Sequence, residues 1–178
     1  MQHGAEDGKR FMTQQIVSYV DTYRPGALST LCALQTQYYA RDWGFDHTYE
    51  AVVSAGMGEF LSRYNPATDL TLLAISGDDI IGGIVIDGGD QGHRSARLRW
   101  YIVAENFRGC GVGRSLIERA MKFIRRQEYE NVFLTTFDGL TSARNLYEKA
   151  GFHLVDQNEK STWGKPVMEQ RFEFVSSK

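Results

Sequence analysis

The stretch RGCGVGRSL, residues 108–116, has the composition of an anion-binding loop. Three glycines stand at every second position with an arginine at each end: Arg108, Gly109, Gly111, Gly113 and Arg114. Glycine lets the backbone approach a ligand closely, so that several N–H groups can point at one phosphate. A helix that begins directly after the loop would add the positive end of its dipole. The stretch alone leaves two interpretations open, a phosphate cradle or a glycine-rich turn without a ligand.

Two well-known nucleotide-binding patterns do not fit this loop. The dinucleotide pattern G-x-G-x-x-G, counted from Gly109, requires a glycine where Arg114 stands. The Walker A pattern G-x-x-x-x-G-K-[ST] requires a glycine at the same position, and no lysine follows it. Binding of ATP through this loop is therefore a weak alternative.

The elements around the loop predict a mixed α/β domain. Apolar residues at helical spacing predict helices at residues 26–45, 48–64, 113–127 and 141–151. Alternating or continuous apolar runs predict strands at residues 69–76, 79–87, 96–104, 131–137, 152–157 and 167–175. The fold class is α/β (α+β mixed) with a mostly antiparallel sheet, because parallel pairing is expected only across the last two helices. We expect residues 1–12 to form a flexible tail and residues 13–178 a single domain.

The composition is that of a soluble globular protein, with 42% hydrophobic and 24% charged residues. The net charge of −2 argues against nucleic acid as a partner, since phosphate contacts need a basic face. No apolar run is long enough for a membrane span or a signal peptide, which predicts no membrane partner and a cytoplasmic location. Two cysteines, Cys32 and Cys110, and four scattered histidines predict neither a disulfide framework nor a metal site.

A second motif lies about 30 residues after the loop. Together, R-G-x-G-x-G at a helix start and SARNLYEKAGFHLV at residues 142–155 resemble the GNAT acetyltransferase family, over residues 96–155. More weakly, the segments YYARDWGFD and STWGKPVMEQRFEF resemble the acetyltransferase domain found fused behind MarR-type regulators, although we expect 178 residues to leave no room for a DNA-binding domain. The resemblance implies a GNAT-like fold, a central, mostly antiparallel twisted sheet of about six to seven strands flanked by about four helices.

The resemblance implies an acetyl-CoA-dependent N-acetyltransferase that moves the acetyl group directly from the thioester to a primary amine of a small molecule or peptide. It implies that the pyrophosphate of coenzyme A binds the loop at Arg108, Gly109, Cys110, Gly111, Val112, Gly113 and Arg114. The pantetheine arm would pair like an extra strand with Tyr101, Ile102 and Val103. A non-catalytic acyl-CoA-binding regulatory module is the alternative.

Tyr147 matches the family tyrosine that donates a proton to the leaving thiolate. A phenol with a pKa near 10 gives its proton to a thiolate with a pKa near 8.5 only at a cost of roughly 2 kcal/mol. We therefore expect either a lowered pKa or a role mainly as a hydrogen-bond donor to the sulfur, and a tyrosine that only packs is the remaining alternative. A nucleophilic Cys110 is disfavoured because no histidine is placed to activate it.

The general base is not evident from the sequence. An amine with a pKa near 10.4 is only about 0.04% neutral at pH 7, so that a base or a water chain is needed. Asp87, His93 and Glu105 are candidates, although each is expected more as a surface group. Many family members carry an asparagine seven residues before the tyrosine, where this chain has Leu140, and Asp138 or Thr141 could replace it.

The segment QYYARDWGF, residues 37–45, is the candidate for contacts to the acceptor amine. In the resembled fold the first two helices shape that pocket, which points to Tyr39, Asp42 and Trp43, with core packing and helix-end charge as the alternative. The terminal strand at residues 167–175 is predicted to leave an open sheet edge. Such an edge can pair with a second copy of the chain, and we therefore expect a homodimer.

Overall fold

The structure is a computed structural model that describes residues 16–89 and 94–176. Within these ranges the chain forms a seven-stranded sheet, four α-helices and a short 3-10 helix. The strands are β1 (Val17–Val20), β2 (Leu70–Ser76), β3 (Asp79–Asp87), β4 (Ser95–Val103), β5 (Asn131–Phe137), β6 (His153–Lys160) and β7 (Val167–Val175). The α-helices are α1 (Ala27–Trp43), α2 (His47–Ser62), α3 (Val112–Arg126) and α4 (Thr141–Lys149), and the 3-10 helix is Glu105–Phe107.

The predicted elements and fold class are confirmed, with bounds that differ by one to three residues at most ends. Strand β1 was not expected, because four residues are too few to show an alternating pattern. The 3-10 turn before the glycine loop was not expected either. The predicted tail at residues 1–12 lies outside the described residues.

The sheet has the strand order β1-β2-β3-β4-β5-β7-β6. Parallel pairing across α3 is confirmed, since β4 and β5 are parallel, whereas α4 leads to β6, which pairs antiparallel with β7 rather than with β5. The prediction of an open edge at residues 167–175 is wrong, because β7 is paired on both sides and β6 forms the edge. Strand β7 inserts between β5 and β6, so that the last strand in the sequence is not the last strand in the sheet.

Helices cover both faces of the sheet and bury a core on each. Helices α1 and α2 pack on one face, where Leu31, Phe60 and Leu73 are fully buried. Helix α3 packs on the other face through an apolar stripe that includes Leu116 and Ile124. No helix in the described part of the chain is both long and apolar enough to cross a membrane.

Strands β4 and β5 pair over only three residues and then separate. Their register runs from Ser95 opposite Asn131 to Arg97 opposite Phe133 and ends there. A bulge follows in β4, where the register with β3 shifts and Trp100 has a positive φ of 49°. Bulges bend the strand that carries the extra residue. The strands therefore diverge and leave an opening in the sheet.

Candidate active site

A cleft of about 570 Å³ occupies the opening between β4 and β5. Its walls come from α1, β4, the glycine loop, the start of α3, the end of β5 and the first turns of α4. The lining residues are Tyr38, Tyr39, Tyr101, Ile102, Val103, Arg108, Gly109, Gly111, Gly113, Arg114, Thr136, Gly139, Leu140, Thr141, Ser142, Ala143, Asn145, Leu146 and Tyr147. The cleft thus brings the predicted loop, the predicted strand and the predicted tyrosine together.

Two helix N-termini without a side-chain cap face this cleft. Gly111 is the N-cap residue of α3 and Leu140 that of α4, and neither makes a capping hydrogen bond through a side chain. Of the other two α-helices, α2 is capped by Asp46, whose carboxylate accepts from Thr48 N at 2.8 Å, whereas α1 begins after Gly26 and also lacks a side-chain cap. Uncapped N–H groups and the positive ends of two helix dipoles favour an anion at this place.

The glycine loop has the backbone shape that its composition predicts. Gly109 has a φ of 76° and Gly111 a φ of 84°, both in the left-handed region that other residues rarely adopt. Arg114 lines the cleft beside them. The side chain of Cys110 is exposed and does not line the cleft, and Val112 is buried in the core, so that any ligand contact there is made by the backbone.

Strand β4 turns polar backbone groups towards the cleft at Val103. The Ala104 N–H donates to the Ile81 carbonyl of β3 at 2.7 Å, and successive residues of a strand point their backbone groups to opposite sides. The N–H and C=O of Val103 therefore face away from β3. Arg108 Nε donates to that carbonyl at 2.9 Å, and its guanidinium stacks 4.1 Å above the ring of Tyr38. The Arg108 side chain thus joins the loop to β4 and α1.

Tyr147 lies in the cleft wall and is otherwise surrounded by aromatic rings. Only 6% of it is exposed, and its ring packs edge-to-face on Tyr101 with 5.9 Å between centroids. Burial, followed by the neighbouring Tyr39 and Tyr101, raises the pKa of Tyr147 well above its ordinary value. Of the two expectations for Tyr147, a lowered pKa is therefore wrong, and a role as hydrogen-bond donor to the sulfur stays a prediction.

Tyr101 contributes its side chain as well as its backbone. Its hydroxyl lies directly against Gly113 at the start of α3, where a Cβ atom would overlap it. Burial raises the pKa of Tyr101 to about 12, although the positive charge of Arg108 opposes this shift. Tyr101 therefore forms a neutral wall between the loop and Tyr147.

A second, basic groove continues from the cleft between α3 and α4. It has a volume of about 370 Å³ and shares Arg114 and Leu146 with the cleft. Its remaining lining residues are Ile117, Glu118, Met121, Lys122, Arg125, Lys149 and Ala150. The lining contains four cationic side chains, a single carboxylate and an apolar floor. The groove therefore suits an anionic group joined to an apolar ring.

Of the three residues proposed for the acceptor, the structure places one in the cleft wall. Tyr39 lines the cleft, and burial raises its pKa above the ordinary value. Asp42 is exposed outside the lining and binds Arg41 Nε at 2.5 Å, which lowers the pKa of Asp42. Trp43 packs edge-to-face on Phe137 at 4.8 Å and against Gly139, behind the lining.

None of the candidate bases that the structure describes lies in the cleft. Asp87 is fully buried and bound by two arginines, and Glu105 is exposed and paired with Arg41. His93 lies outside the described residues. Across residues 16–89 and 94–176, no aspartate, glutamate or histidine lines the cleft, and no group of three metal-ligating side chains occurs.

The first turns of α4 supply cleft residues, some of which sequence reasoning did not single out. Of the positions considered for the missing asparagine, Leu140 and Thr141 line the cleft, whereas Asp138 lies outside the lining and accepts a hydrogen bond from Gln170 at 3.4 Å. Ser142 and Asn145, which the sequence analysis does not name, also line the cleft. Their position at the start of a helix in the second motif is the signal that would have indicated them.

Comparisons with known proteins agree with this geometry. Residues 29–152 match the model of the family described as Acetyltransferase (GNAT) family. The chain is 38% identical over 64 residues to N-alpha-acetyltransferase 30 of Saccharomyces cerevisiae, a match that spans 34% of this chain and 36% of that relative.

Two solved structures share the fold. An acetyltransferase of the GNAT family from Staphylococcus aureus Mu50 superposes with a TM-score of 0.69 at 16% identity, covering 90% of this chain and 99% of the other. A chain of the NatC complex bound to Gag peptide and CoA gives a TM-score of 0.68 at 17% identity, with coverage of 90% and 99%. Since the family model matches more than two thirds of the sequence, the chain belongs to the GNAT acetyltransferase family.

Proposed function

We propose that the chain is an acetyl-CoA-dependent N-acetyltransferase that transfers the acetyl group directly to a primary amine of a small molecule or peptide. The observation that carries the proposal is the cleft between β4 and β5, which two uncapped helix N-termini and the glycine loop flank. Family membership supports it, because enzymes of this family use acetyl-CoA. A single acetyltransferase domain at residues 13–178 and a cytoplasmic location belong to the same proposal.

The cleft and the groove fit the three parts of coenzyme A. The loop from Arg108 to Arg114 offers backbone N–H groups and a cation to the pyrophosphate. The cleft-facing N–H of Val103 offers a strand-like hydrogen bond to an amide carbonyl of the pantetheine arm, since Arg108 already donates to the Val103 carbonyl. The basic groove with Lys122, Arg125 and Lys149 suits the phosphorylated adenosine end.

In the transfer, the amine nitrogen bonds to the carbonyl carbon, the carbon–sulfur bond breaks, the nitrogen loses a proton and the sulfur gains one. Tyr147 supplies a hydrogen bond to the sulfur while its own proton stays on the phenol, because its raised pKa makes full donation more costly than for a free tyrosine. The leaving thiolate therefore takes its proton from water. Backbone N–H groups of β4 stabilise the carbonyl oxygen as it gains charge. Without a carboxylate or imidazole in the described cleft wall, water carries the proton away from the amine.

The α1 side of the cleft is where the acceptor enters in this proposal. Tyr38 and Tyr39 form the wall there, opposite the strand that holds the thioester. Because the sequence relative is named an N-alpha-acetyltransferase, the α-amine of a peptide is one acceptor to test, beside small primary amines.

The alternative, an acyl-CoA-binding module without catalysis, is favoured by one observation, the lack of acidic and imidazole groups in the described cleft wall. The two candidates predict the same binding and different turnover. We would first measure the melting temperature with and without acetyl-CoA, since a ligand at 100 times its Kd stabilises the fold by about 2.7 kcal/mol. A shift with acetyl-CoA but not with ATP or NAD supports the binding site, and thiol release with an amine panel then separates enzyme from module.

A further inference from the structure

Asp87 stands at the centre of a buried ionic network that links α2, β3 and β4. Its side chain is fully buried, and both of its oxygens bind Arg63, Oδ1 to Nη1 and Oδ2 to Nη2, at 2.8 Å each. Oδ2 also binds Arg99 Nη1 at 2.9 Å. Glu59 pairs with Arg63 from the outer side at 2.5 Å. Burial alone would raise the pKa of Asp87, but the two arginines outweigh it and hold the pKa below its ordinary value.

Arg99 directly precedes the bulge that opens the cleft. Val85 faces Arg99 and Gly83 faces Ile102, so that Trp100 and Tyr101 together occupy the space opposite one residue of β3. Successive side chains of a regular strand point to opposite faces of the sheet. Here Arg99 and Trp100 share one face, because the Arg99 guanidinium lies 4.1 Å above the Trp100 ring.

Helix α2 is fitted to this pair of side chains. A Cβ atom at Gly56 would come within 2.8 Å of Arg99 Nη2 and 3.5 Å of Trp100 Cζ2, so that a larger residue there would displace the end of the Arg99 side chain. Phe60, one turn later, packs edge-to-face on Trp100 at 5.6 Å. The positive φ of Trp100, 49°, is costly for a residue with a bulky side chain and persists only where its surroundings hold it.

We propose that Asp87, acting through Arg99 and Arg63, is the positioning residue that holds the Trp100 bulge and thereby sets the β4 side of the acetyl-CoA cleft. Asp87 touches no lining residue directly and acts on Tyr101 to Val103 through the strand that they share with Arg99. The proposal rests on the proposed function for what the cleft binds, but not for how the bulge is held.

The test compares Asp87 with Asp69, a matched buried carboxylate. Asp69 is 2% exposed and accepts two backbone hydrogen bonds, from Asn65 N and Gly88 N at 2.9 Å each, and in the described part of the chain it makes no hydrogen bond or ion pair to β4. Asp87→Asn keeps the side-chain shape but replaces one oxygen by an NH2 group that cannot accept from an arginine. Asp69→Asn removes a buried charge of the same kind in the same region.

The dissociation constant of acetyl-CoA is measured by calorimetry well below the melting temperature of each variant. Asp87→Asn is expected to raise it about tenfold, since displacement of Tyr101 to Val103 weakens the hydrogen bonding of this strand to the ligand, while Asp69→Asn leaves it within about twofold. A dissociation constant within twofold of the parent for Asp87→Asn, or an equal rise for Asp69→Asn, would overturn the proposal.

Arg99 provides a second pair of variants if Asp87→Asn does not fold. Arg99→Lys keeps a cation that can reach Asp87 and stack on Trp100, and is expected to bind acetyl-CoA within about threefold of the parent, whereas Arg99→Met is expected to lose about tenfold. Equal effects of the two substitutions would contradict the role of the ion pair.

Hydrogen exchange in the ligand-free protein separates this inference from the proposed function. The amide of Ala104, bonded to Ile81 at 2.7 Å, reports on the end of β4, and the amide of Asp138, bonded to Met168 at 2.9 Å, reports on the other half of the sheet. Asp87→Asn should accelerate exchange at Ala104 about tenfold more than at Asp138. If the parent binds no acetyl-CoA, the proposed function fails while this result still decides the role of Asp87. Equal acceleration at both amides would overturn it.

Discussion

The contact between Tyr101 and Gly113 permits an exacting test of how the cleft is packed. A Cβ atom at Gly113 would overlap the Tyr101 hydroxyl oxygen, whereas its next neighbours, Tyr101 Cζ at 3.4 Å and Leu146 Cδ1 at 3.5 Å, lie at ordinary van der Waals distance. The hydroxyl cannot move alone because it is fixed to a rigid ring, and that ring packs on Tyr147. Gly113→Ala must therefore displace the whole side chain of Tyr101.

The expected free energies follow from two opposing effects. Overpacking a well-packed site costs about 1–3 kcal/mol. Replacing glycine by alanine in a helix returns up to about 1 kcal/mol. With the full return, we expect Gly113→Ala to lower the free energy of unfolding by up to about 2 kcal/mol, and the melting temperature by about 2–4 °C for each kcal/mol. In a Tyr101→Phe background the overlapping atom is gone, and the same alanine should be neutral or stabilising.

Urea unfolding of the parent, both single variants and the double variant gives the coupling free energy directly. We expect at least about 1 kcal/mol of coupling, well above the 0.3–0.5 kcal/mol within which independent sites add. Gly58→Ala in α2 is the control, because nothing lies within 4 Å of its Cβ, and its effect should be the same in both backgrounds. Additive effects at Gly113 and Tyr101 would refute the packing described for this wall.

Three further predictions concern the tyrosine, the groove and the buried carboxylate. Tyr147→Phe should lower kcat about 10- to 100-fold and leave the affinity for acetyl-CoA within about twofold; unchanged turnover would exclude the donor role. Because the pKa of Tyr147 is raised, the pH profile of thiol release by the parent between pH 6 and 9.5 should show no titration of a tyrosine. Lys149→Glu should raise the Kd of coenzyme A about tenfold and that of 3′-dephospho-coenzyme A less. Arg119 lies over Tyr19, outside the groove, so that the control variant Arg119→Glu should change neither Kd. An equal rise of both Kd values in Lys149→Glu would place the 3′-phosphate elsewhere. Since the pKa of Asp87 is lower in the folded state, its contribution to stability is present above the unfolded pKa of about 3.9 and is lost as the pH falls through the folded pKa. The urea midpoint of Asp87→Asn should therefore depend less on pH between pH 5 and 3 than that of the parent. Equal slopes of midpoint against pH for the two proteins would contradict this prediction.

The sequence predicts the parts of the site that follow from local chemistry. The glycines of the loop indicate its positive φ angles directly, because Gly109 and Gly111 adopt conformations that other residues avoid. The strand at residues 131–137 and the hairpin of β2 and β3 follow from apolar patterns of the right length. The role of Tyr147 was predicted from the resemblance to a family motif, since no local feature of the sequence distinguishes it from a packing tyrosine.

The remaining parts depend on contacts between distant segments. Asp87 ends a strand and looks like a surface carboxylate in the sequence, and only the approach of Arg63, directly after α2, and of Arg99 from β4 makes its burial possible. The bulge at Trp100 needs a register shift against β3 that no single-strand pattern contains. Asp42 and Tyr39 are three residues apart on one helix, but only Tyr39 lines the opening, while Asp42 is exposed and pairs with Arg41.

The opening between β4 and β5 also indicates what kind of ligand the fold is built to receive. Adjacent strands ordinarily pair along their length, and separated strands leave backbone groups that must find other partners. The Val103 carbonyl finds one in Arg108, and the two nearby helix ends remain uncapped by side chains. A ligand with amides along an extended arm and phosphates at its end satisfies both kinds of group at once. A short acetyl thioester offers a single carbonyl to β4 and no anion to the helix ends, so that the binding free energy of the proposed co-substrate should come mainly from the parts that do not react.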